Sequence, residues 1–333
     1  TISGRLETTS EEIPIKLDQA SKYEKIWIVA CGTAYHAGLF GKDLFEKVLG
    51  VPVSVELASE FRYREPIVGK NDLGIVISQS GETMDTIAAT ELLKGNGAHV
   101  LALVNVVGSS LARMADSIFY LHVGPEIGVA STKAYLGMLV GQLLLAKHWD
   151  SANKLDVSFD EIAELPKLIE QTMACEKQIK DISEKIYKKN DIYFIGRGLD
   201  YALAAEGALK LKEISYLHAE ALAAGELKHG TLALIENGTP IIVTASQNHL
   251  LDKTTSNVQE VIARGAYVIA IGDNQSEKLE NISDEYVTLP DSNEILTTII
   301  SIIPLQFIAY HVANLNGESI DQPRNLAKSV TVE

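Results

Sequence analysis

The chain has 333 residues, of which 46% are hydrophobic, and carries a formal charge of −15 at pH 7. It is long enough for two ordinary domains with separate cores. The acidic balance disfavours a nucleic-acid partner, since proteins that bind nucleic acid usually concentrate lysine and arginine on one face. The net charge does not exclude a small phosphorylated ligand, because binding of such a ligand depends on the hydrogen-bond donors at its own site. Two cysteines and scattered histidines predict neither a disulfide framework nor a metal site, and nothing in the sequence suggests a cofactor.

The apolar stretches, such as 134–146, are too short or too often interrupted to span a bilayer. The N-terminus lacks the basic, apolar and small-residue pattern of a signal peptide. We therefore expect a cytoplasmic protein without a membrane partner.

Strand and helix patterns alternate through the first half of the chain. Short apolar runs predict strands, and amphipathic stretches between them predict helices. We expect strands at 26–30, 53–57, 73–78, 100–104 and 117–121, with the clearest helices at 83–93 and 131–148.

The second half shows the same alternation after a charged helical segment, 156–189, in which Pro166 marks a break or a first turn. Strands are expected at 192–195, 240–244, 267–271 and 285–289, and helices at 199–215, 249–263 and 294–314. Short all-apolar strands that alternate with helices indicate parallel sheets covered on both faces. Such sheets bind ligands at the carboxyl ends of their strands.

Three sequence blocks recur at one offset of 166 residues. They are IWIVACGTAYHAG at 26 and IYFIGRGLDYALA at 192, ASEFR at 58 and AGELK at 224, and GIVISQSGETMDT at 74 and PIIVTASQNHLLD at 240. A fourth match, GAHVLALV at 97 and GAYVIAIG at 265, needs a two-residue shift. The repeat predicts a duplicated unit, with domains at 1–150 and 151–315 and an irregular tail at 316–333.

The polar loop SQSGET follows a predicted buried strand and opens a helix. Its side chains at Ser78, Gln79, Ser80 and Thr83, together with backbone N–H groups and the positive helix end, suit a phosphate. The alternative is a plain helix cap. The aligned second copy reads TASQNH, so the fold makes this turn without the SQSGET residues, which favours a ligand role.

Lys210 and Glu213 lie three residues apart on a predicted helix, so their side chains share one face. In a cleft, the ammonium would keep the carboxylate ionised and desolvation would raise its basicity, which gives a general base for proton transfer between adjacent carbons. An exposed ion pair is the commoner meaning of this spacing.

Three further residues carry weaker signals. Thr33 follows a glycine turn after the first strand and offers a hydroxyl, although glycine at this place often serves only packing. His229 lies between the two glycines of AGELKHG, and a histidine side chain can act as acid or base, but a lone loop histidine is often incidental. Lys328 in the tail is either a solvated lysine or, if buried, an amine that forms a Schiff base with a carbonyl.

Five motifs together resemble the isomerase half of glucosamine-6-phosphate synthases, the glutamine–fructose-6-phosphate transaminases, over essentially the whole chain. They are ACGTAYHAG, SQSGETMDT, EIGVASTKA, GALKLKEISYLHAEALAAGELKHG and PRNLAKSVTVE. The resemblance implies two tandem sugar-isomerase (SIS) domains, each a doubly wound parallel α/β sheet flanked by helices, and a homodimer. TISGRL at the start resembles the segment after the interdomain linker, which implies an N-terminal glutaminase domain as partner.

The resemblance also implies roles in converting fructose 6-phosphate and ammonia to glucosamine 6-phosphate. The SQSGET side chains would hold the sugar phosphate. Glu213 would move a proton between C1 and C2 beside Lys210, and His229, supplied across the dimer interface, would open the ring. Lys328 would form an imine with the ketone, with backbone contacts from Val129 and Ala327.

One residue departs from the family pattern. Ala34 stands where many relatives have serine after the CGT turn, so a ligand contact is either missing or made by Thr33. We expect one composite site per subunit, with the phosphate loop from the first copy, Glu213 and His229 from the second, and the tail closing it.

Two other functions stay open at this point. A deglycase that splits phosphorylated sugar–amine adducts would share the loop and a glutamate base, but is not expected to end in PRNLAKSVTVE. A non-catalytic sugar-phosphate sensor would need a partner-binding element, and the chain has no helix-turn-helix extension or basic region.

Overall fold

The short apolar runs of the sequence form parallel strands in the computed structural model, which describes residues 13–329. These residues divide into two units, 13–159 with 327–329 and Asp160–Leu326. Each unit contains one five-stranded parallel sheet with helices, so the predicted α/β class is confirmed. The motif TISGRL lies outside the described residues, and the domain limits drawn from the sequence stay a prediction.

The first unit alternates strands and helices. Its strands are β1 (Lys25–Ala30), β2 (Val53–Leu57), β3 (Asp72–Ser78), β4 (His99–Val104) and β5 (Ser117–Tyr120). Its helices are α1 (Leu17–Ala20), α2 (Thr33–Leu49), α3 (Ala58–Phe61), α4 (Met84–Gly95), α5 (Ser110–Met114) and α6 (Lys133–Trp149). The strand order across the sheet is β2-β1-β3-β4-β5.

The charged segment forms three helices, α7 (Phe159–Ala163), α8 (Leu165–Met173) and α9 (Glu176–Ile186), with Pro166 in the first turn of α8. The second sheet contains β6 (Asp191–Gly196), β7 (His218–Ala223), β8 (Pro240–Ala245), β9 (Tyr267–Gly272) and β10 (Glu285–Thr288). Its α-helices are α10 (Leu199–Ser215), α11 (Leu251–Ile262), α12 (Glu277–Ile282), α13 (Glu294–Ile300) and α14 (Ile302–Leu315). Short 3₁₀ helices span Ala224–His229, Thr231–Leu234 and Asn248–Leu250.

Burial on both faces explains the near-continuous apolar composition of the central strands. Every residue of β3 is buried, as expected for a parallel strand with helices above and below it. On one face, Trp27, Phe61 and Leu93 belong to the same buried cluster. A fully buried side chain of this size contributes about 1.5–3 kcal/mol, so these contacts fix the strands that carry the loops.

The second sheet repeats the strand order of the first, as β7-β6-β8-β9-β10. β1 and β6 start at Lys25 and Asp191, and α2 and α10 at Thr33 and Leu199, both pairs 166 residues apart. The glycines that precede these two helices have almost the same backbone angles, φ 53° and ψ −126° in one copy and φ 55° and ψ −127° in the other. The structure therefore supports the duplication inferred from the sequence.

The second copy differs from the sequence prediction at β7, which was not expected. Its sequence HAEALA is rich in alanine, leucine and glutamate, which favour helices, and it forms a strand because it pairs in parallel with β6 at the sheet edge. Tertiary pairing overrides local preference here.

The helix expected at 294–314 is interrupted at Ser301, between α13 and α14. Pro304 explains the break, because proline has no N–H to donate to the carbonyl of Ile300 and its ring clashes with that carbonyl. Among residues 13–329, Glu294–Leu315 is the one stretch long and apolar enough to cross a membrane, with a mean hydropathy of 1.8 in a window that is 78% buried. α14 packs against α10 and α9, which is the pattern of a core helix.

In the first sheet, successive strands are added on one side of β1 and then on the other, so the strand order reverses between β1 and β3. Ligands of doubly wound sheets bind at this switch point, beyond the carboxyl ends of the strands. The segments that follow these two strands carry Thr33 and the SQSGET loop, so the topology brings both predicted phosphate-binding segments to one edge.

Candidate functional site

Hydroxyl groups shape the loop that follows β3. Ser78 is 4% exposed, and its Oγ accepts the N–H of Gly81 at 3.0 Å and lies 3.3 Å from Oγ1 of Thr83. The Oγ of Ser80 accepts the N–H of Glu82 at 3.2 Å. These bonds curl the loop around its own hydroxyl groups and place them before the first turn of α4.

The loop depends on Gly81 and Glu82. Gly81 has φ +68°, and a Cβ at this position would lie 2.1 Å from Oγ of the buried Ser109. Glu82 accepts the N–H of Ser110 at 2.8 Å, and the hydrogen bonds from Ser110 lower the pKa of its carboxyl. The loop is thereby fixed to the start of α5.

A plain helix cap does not account for Thr83. It occupies the N-cap position of α4, yet its side chain makes no capping hydrogen bond with residues 13–329. Thr33, the first residue of α2, follows β1, which pairs in parallel with β3. Two helix N-termini thus begin at neighbouring strand ends, where their positive ends favour an anion.

Ser329, the last described residue of the tail, contacts this loop. The Oγ of Ser329 donates to Oγ of Ser80 at 3.2 Å. Lys328 Nζ lies 2.8 Å from Oε2 of Glu126, and the two side chains are 26% and 6% exposed. A solvated tail lysine is therefore the wrong interpretation of Lys328.

The remaining predicted residues of this unit flank these contacts. Val129 is half-buried in the same loop as Glu126, and Ala327 is exposed beside Lys328. Gln79 is half-buried, and its carbonyl accepts the N–H of Asn105 at 3.3 Å. Ala34 is 6% exposed on α2, so its methyl group is part of the packing.

In the second unit, α10 places two acidic side chains beside one buried lysine. Lys210 is 1% exposed, with Nζ 2.5 Å from Oε2 of Glu213 and 3.4 Å from Oε1 of Glu206. Burial opposes the charge of Lys210, but the two carboxylates outweigh it and raise its pKa. Lys210 is thus held as an ammonium, and Glu213, 23% exposed, is the member of the group that reaches solvent. This is not an exposed surface ion pair.

His229 ends the 3₁₀ helix Ala224–His229 and is exposed. The first part of the tail is also fixed in this unit. The guanidinium of Arg324 lies 4.1 Å from the ring centre of Tyr216, whose hydroxyl accepts the N–H of Arg324 at 2.8 Å. Residues 316–329 of the tail are therefore irregular but anchored, and not frayed.

The second sheet uses its own switch point differently. The loop after β8 turns Ser246 onto Asp200: its Oγ donates to Oδ1 at 2.6 Å and its N–H to Oδ2 at 3.0 Å. Thr298 lies 2.7 Å from the same serine hydroxyl, and Gln247 donates to the carbonyl of Arg197 at 2.7 Å. Burial raises the pKa of Asp200 to about 6, with the hydrogen bonds opposing this shift. The polar groups that would contact a ligand in the first copy are used internally in the second.

Sequence reasoning missed Glu126, Glu206 and Ser329. Glu206 precedes Lys210 by one helical turn, so the same spacing argument that found Glu213 was available. Glu126 lies in the quoted motif EIGVASTKA, but its partner is 202 positions away, and no local pattern reveals such a pair. Ser329 likewise meets Ser80 from 249 positions away.

The chain matches the SIS domain family twice, over residues 20–147 and 185–315. A glutamine–fructose-6-phosphate aminotransferase (isomerizing) of Caldanaerobacter subterraneus subsp. tengcongensis is 49% identical over all of this chain and 56% of that protein. A protein of the same name from Clostridium tetani is 50% identical over 97% of this chain and 54% of that protein. The chain thus spans about half the length of these curated relatives.

Solved structures agree with this placement. The C-terminal domain of glucosamine-fructose-6-phosphate aminotransferase from Francisella tularensis superimposes with a TM-score of 0.89 at 40% identity, over 97% of this chain and 94% of that one. A glucosamine-6-phosphate deaminase of Thermotoga maritima gives a TM-score of 0.77 at 23% identity, over 99% and 95% of the chains, and shows the fold alone. The chain therefore belongs to the SIS domain family, as a tandem pair of the kind found in the C-terminal domain of glutamine–fructose-6-phosphate aminotransferases.

Proposed function

We propose that the chain isomerises fructose 6-phosphate, with ammonia as nitrogen donor, to glucosamine 6-phosphate. The observation that carries the proposal is the pairing of the buried Lys210 with the partly exposed Glu213, since a ketose–aldose conversion needs one carboxylate that serves two adjacent carbons. The relatives that match along the whole chain are named for this transamination, which disfavours a deglycase or a non-catalytic sensor.

Phosphate binding falls to the SQSGET loop in this proposal. The hydroxyls of Ser78, Ser80 and Thr83, the amide of Gln79 and the N-terminus of α4 offer the neutral donors and the positive helix end that a phosphate requires. Thr33 adds a hydroxyl from the neighbouring strand end. Val129 and Ala327 contribute backbone contacts to the sugar.

The chemistry begins when His229 of the partner subunit in a homodimer transfers a proton and opens the sugar ring. The amine of Lys328 attacks the C2 ketone, and loss of water leaves an iminium. Ammonia then takes the place of Lys328 on C2, so its nitrogen stays on the product.

Glu213 carries out the isomerisation. It removes a proton from C1 and returns it to C2, while the C1 hydroxyl loses its proton and C1 becomes the aldehyde. The ammonium of Lys210, whose pKa the two neighbouring carboxylates raise, lies 2.5 Å from Oε2 of Glu213 and offers it an opposite charge. In the whole enzyme, an N-terminal glutaminase domain supplies the ammonia. We also propose that the protein is located in the cytoplasm.

The test is product formation by the purified chain. With fructose 6-phosphate alone we expect glucose 6-phosphate, and with added ammonium we expect glucosamine 6-phosphate, both quantified by chromatography. Glu285→Gln is the matched control for Glu213→Gln. Glu285 also pairs with a lysine of the second unit, Lys185, and its side chain is 19% exposed, against 23% for Glu213. Absence of both products from the folded wild-type chain refutes the proposal.

A further inference from the structure

Glu126 presents its two carboxylate oxygens to different partners. Oε1 accepts the N–H of Thr132 at 2.9 Å and, more weakly, the N–H of Ala134 at 3.3 Å, both at the N-terminus of the 17-residue helix α6. Oε2 accepts from Lys328 at 2.8 Å. One oxygen is thus fixed by the scaffold, which leaves the other aimed at the tail lysine.

The surroundings keep this carboxylate charged. Glu126 is only 6% exposed, and burial opposes its ionisation, but Lys328 and the backbone donors outweigh burial and lower its pKa. The neighbouring cation, Lys133, donates to the carbonyl of Pro125 at 2.7 Å. Within residues 13–329, the side-chain cation bonded to Glu126 is Lys328.

Imine formation leaves the charge at this nitrogen unchanged. The ammonium loses a proton before the amine attacks the ketone, and that proton leaves with the carbonyl oxygen as water. Overall, an ammonium and a ketone give an iminium and water, so the nitrogen is cationic before and after the reaction. A fixed carboxylate beside it therefore stabilises both states, and it also favours the protonated imine, which draws electrons from the adjacent carbons.

We propose that Glu126 is the counter-ion of Lys328: it positions the amine at the phosphate loop and stays beside the nitrogen while the iminium forms on the sugar ketone. The proposal rests on the function proposed above. Glu126 acts through Lys328, so it is a positioning residue, and its removal should affect imine formation more than phosphate binding.

The experiment compares the full chain with its Glu126→Gln variant. The glutamine keeps an oxygen for Thr132 and Ala134 but turns an NH₂ group toward Lys328. Each protein is incubated with fructose 6-phosphate and cyanoborohydride, and the reduced adduct on the tail peptide is measured by mass spectrometry against time. We expect the rate of adduct formation to fall about 10-fold to 100-fold, because the amine of Lys328 is no longer held in place for attack on the ketone.

Binding of sorbitol 6-phosphate separates positioning from a structural role, because this ligand has the phosphate but no carbonyl. Its affinity should stay within about two-fold of wild type in Glu126→Gln. Glu126→Asp, which keeps the charge, should recover part of the trapping rate.

Asp116→Asn is the matched control. Asp116 also accepts from a lysine, Lys94, at 2.8 Å and from a backbone N–H, that of Val100, at 2.9 Å. It precedes β5, at the opposite end of the strands from the loop. The rate of adduct formation in Asp116→Asn should equal that of wild type.

The outcomes are distinct. Equal trapping in Glu126→Gln and wild type overturns the counter-ion role, as does a parallel loss of sorbitol 6-phosphate binding. A wild-type chain that forms glucosamine 6-phosphate but gives no adduct overturns the imine, and with it the role of Glu126, while the proposed function stands. A chain that forms no product refutes the function itself.

Discussion

Replacing Gly81 by alanine tests whether the loop after β3 is the phosphate site. Gly81 has φ +68°, and an added Cβ would lie 2.1 Å from Oγ and 2.5 Å from Cβ of Ser109. Ser109 is the N-cap of α5 and accepts the N–H of Ala112 at 3.4 Å, so it cannot move without loss of that bond. The alanine must therefore distort the loop or the cap.

Gly50→Ala provides the matched comparison. Gly50 ends α2 with φ +71°, and a Cβ added there would have no atom of residues 13–329 within 4 Å. Gly50→Ala should lower the free energy of unfolding only by the strain of a left-handed backbone, about 1–2 kcal/mol. Gly81→Ala should cost the same strain plus about 1–3 kcal/mol of overpacking against Ser109.

The two variants should also differ in function. We measure thermal unfolding and the KM for fructose 6-phosphate in both. Gly81→Ala should raise KM about 10-fold or more, because moving the loop disturbs several phosphate donors at once, while Gly50→Ala should leave KM within about two-fold. Equal losses of stability with an unchanged KM in both variants would refute the role assigned to the loop.

Two further variants test the second unit. The pKa of Asp200 is raised from 3.8 to about 6, so the folded state holds this proton more tightly than the unfolded state; its stabilising contribution is complete below pH ~4 and is lost by pH ~6, a change of roughly 3 kcal/mol. Between pH 4 and 7, the unfolding free energy of wild type should therefore fall with rising pH by more than that of Asp200→Asn. Parallel pH profiles of the two proteins would contradict the raised pKa of Asp200. His229→Asn should lower turnover of fructose 6-phosphate about 10²-fold or more, as for loss of a general acid or base. It should spare 5-deoxyfructose 6-phosphate, which cannot form the ring, and equal losses on both substrates would exclude ring opening as its role.

The fold was predictable where one feature of the sequence decided the outcome. The continuous apolar run of β3 formed the expected strand, and the periodic stretch at 199–215 formed the expected helix α10. β7 was not predictable from its own residues, because its alanine- and leucine-rich sequence favours a helix and only the pairing with β6 makes it a strand. The break at Ser301 has its cause in Pro304, three residues further along the chain.

The site was predictable where its residues are close in sequence. The SQSGET loop and the Lys210–Glu213 spacing each depend on residues within one turn or one helix. The contacts of Glu126 with Lys328 and of Ser80 with Ser329 join residues more than 200 positions apart, and only the folded chain brings them together.

The duplicated fold explains why the two copies are not equivalent. Both sheets have the same strand order and therefore the same switch point. In the first copy, Gly81 shapes a loop of hydroxyls, while in the second the corresponding loop closes on Asp200 through Ser246. Filling one crevice with internal hydrogen bonds leaves the other as the candidate phosphate site.

Exchange of hydrogen between sugar and solvent tests the central claim, that Glu213 moves a proton between C1 and C2. The chain is incubated with fructose 6-phosphate in D₂O, and deuterium at C1 and C2 is followed by NMR for wild type, Glu213→Gln and the control Glu285→Gln. We expect wild type and the control to incorporate deuterium into sugar phosphate, and Glu213→Gln to lose this exchange about 10²-fold or more. Exchange at the wild-type rate in a folded Glu213→Gln protein would contradict the account.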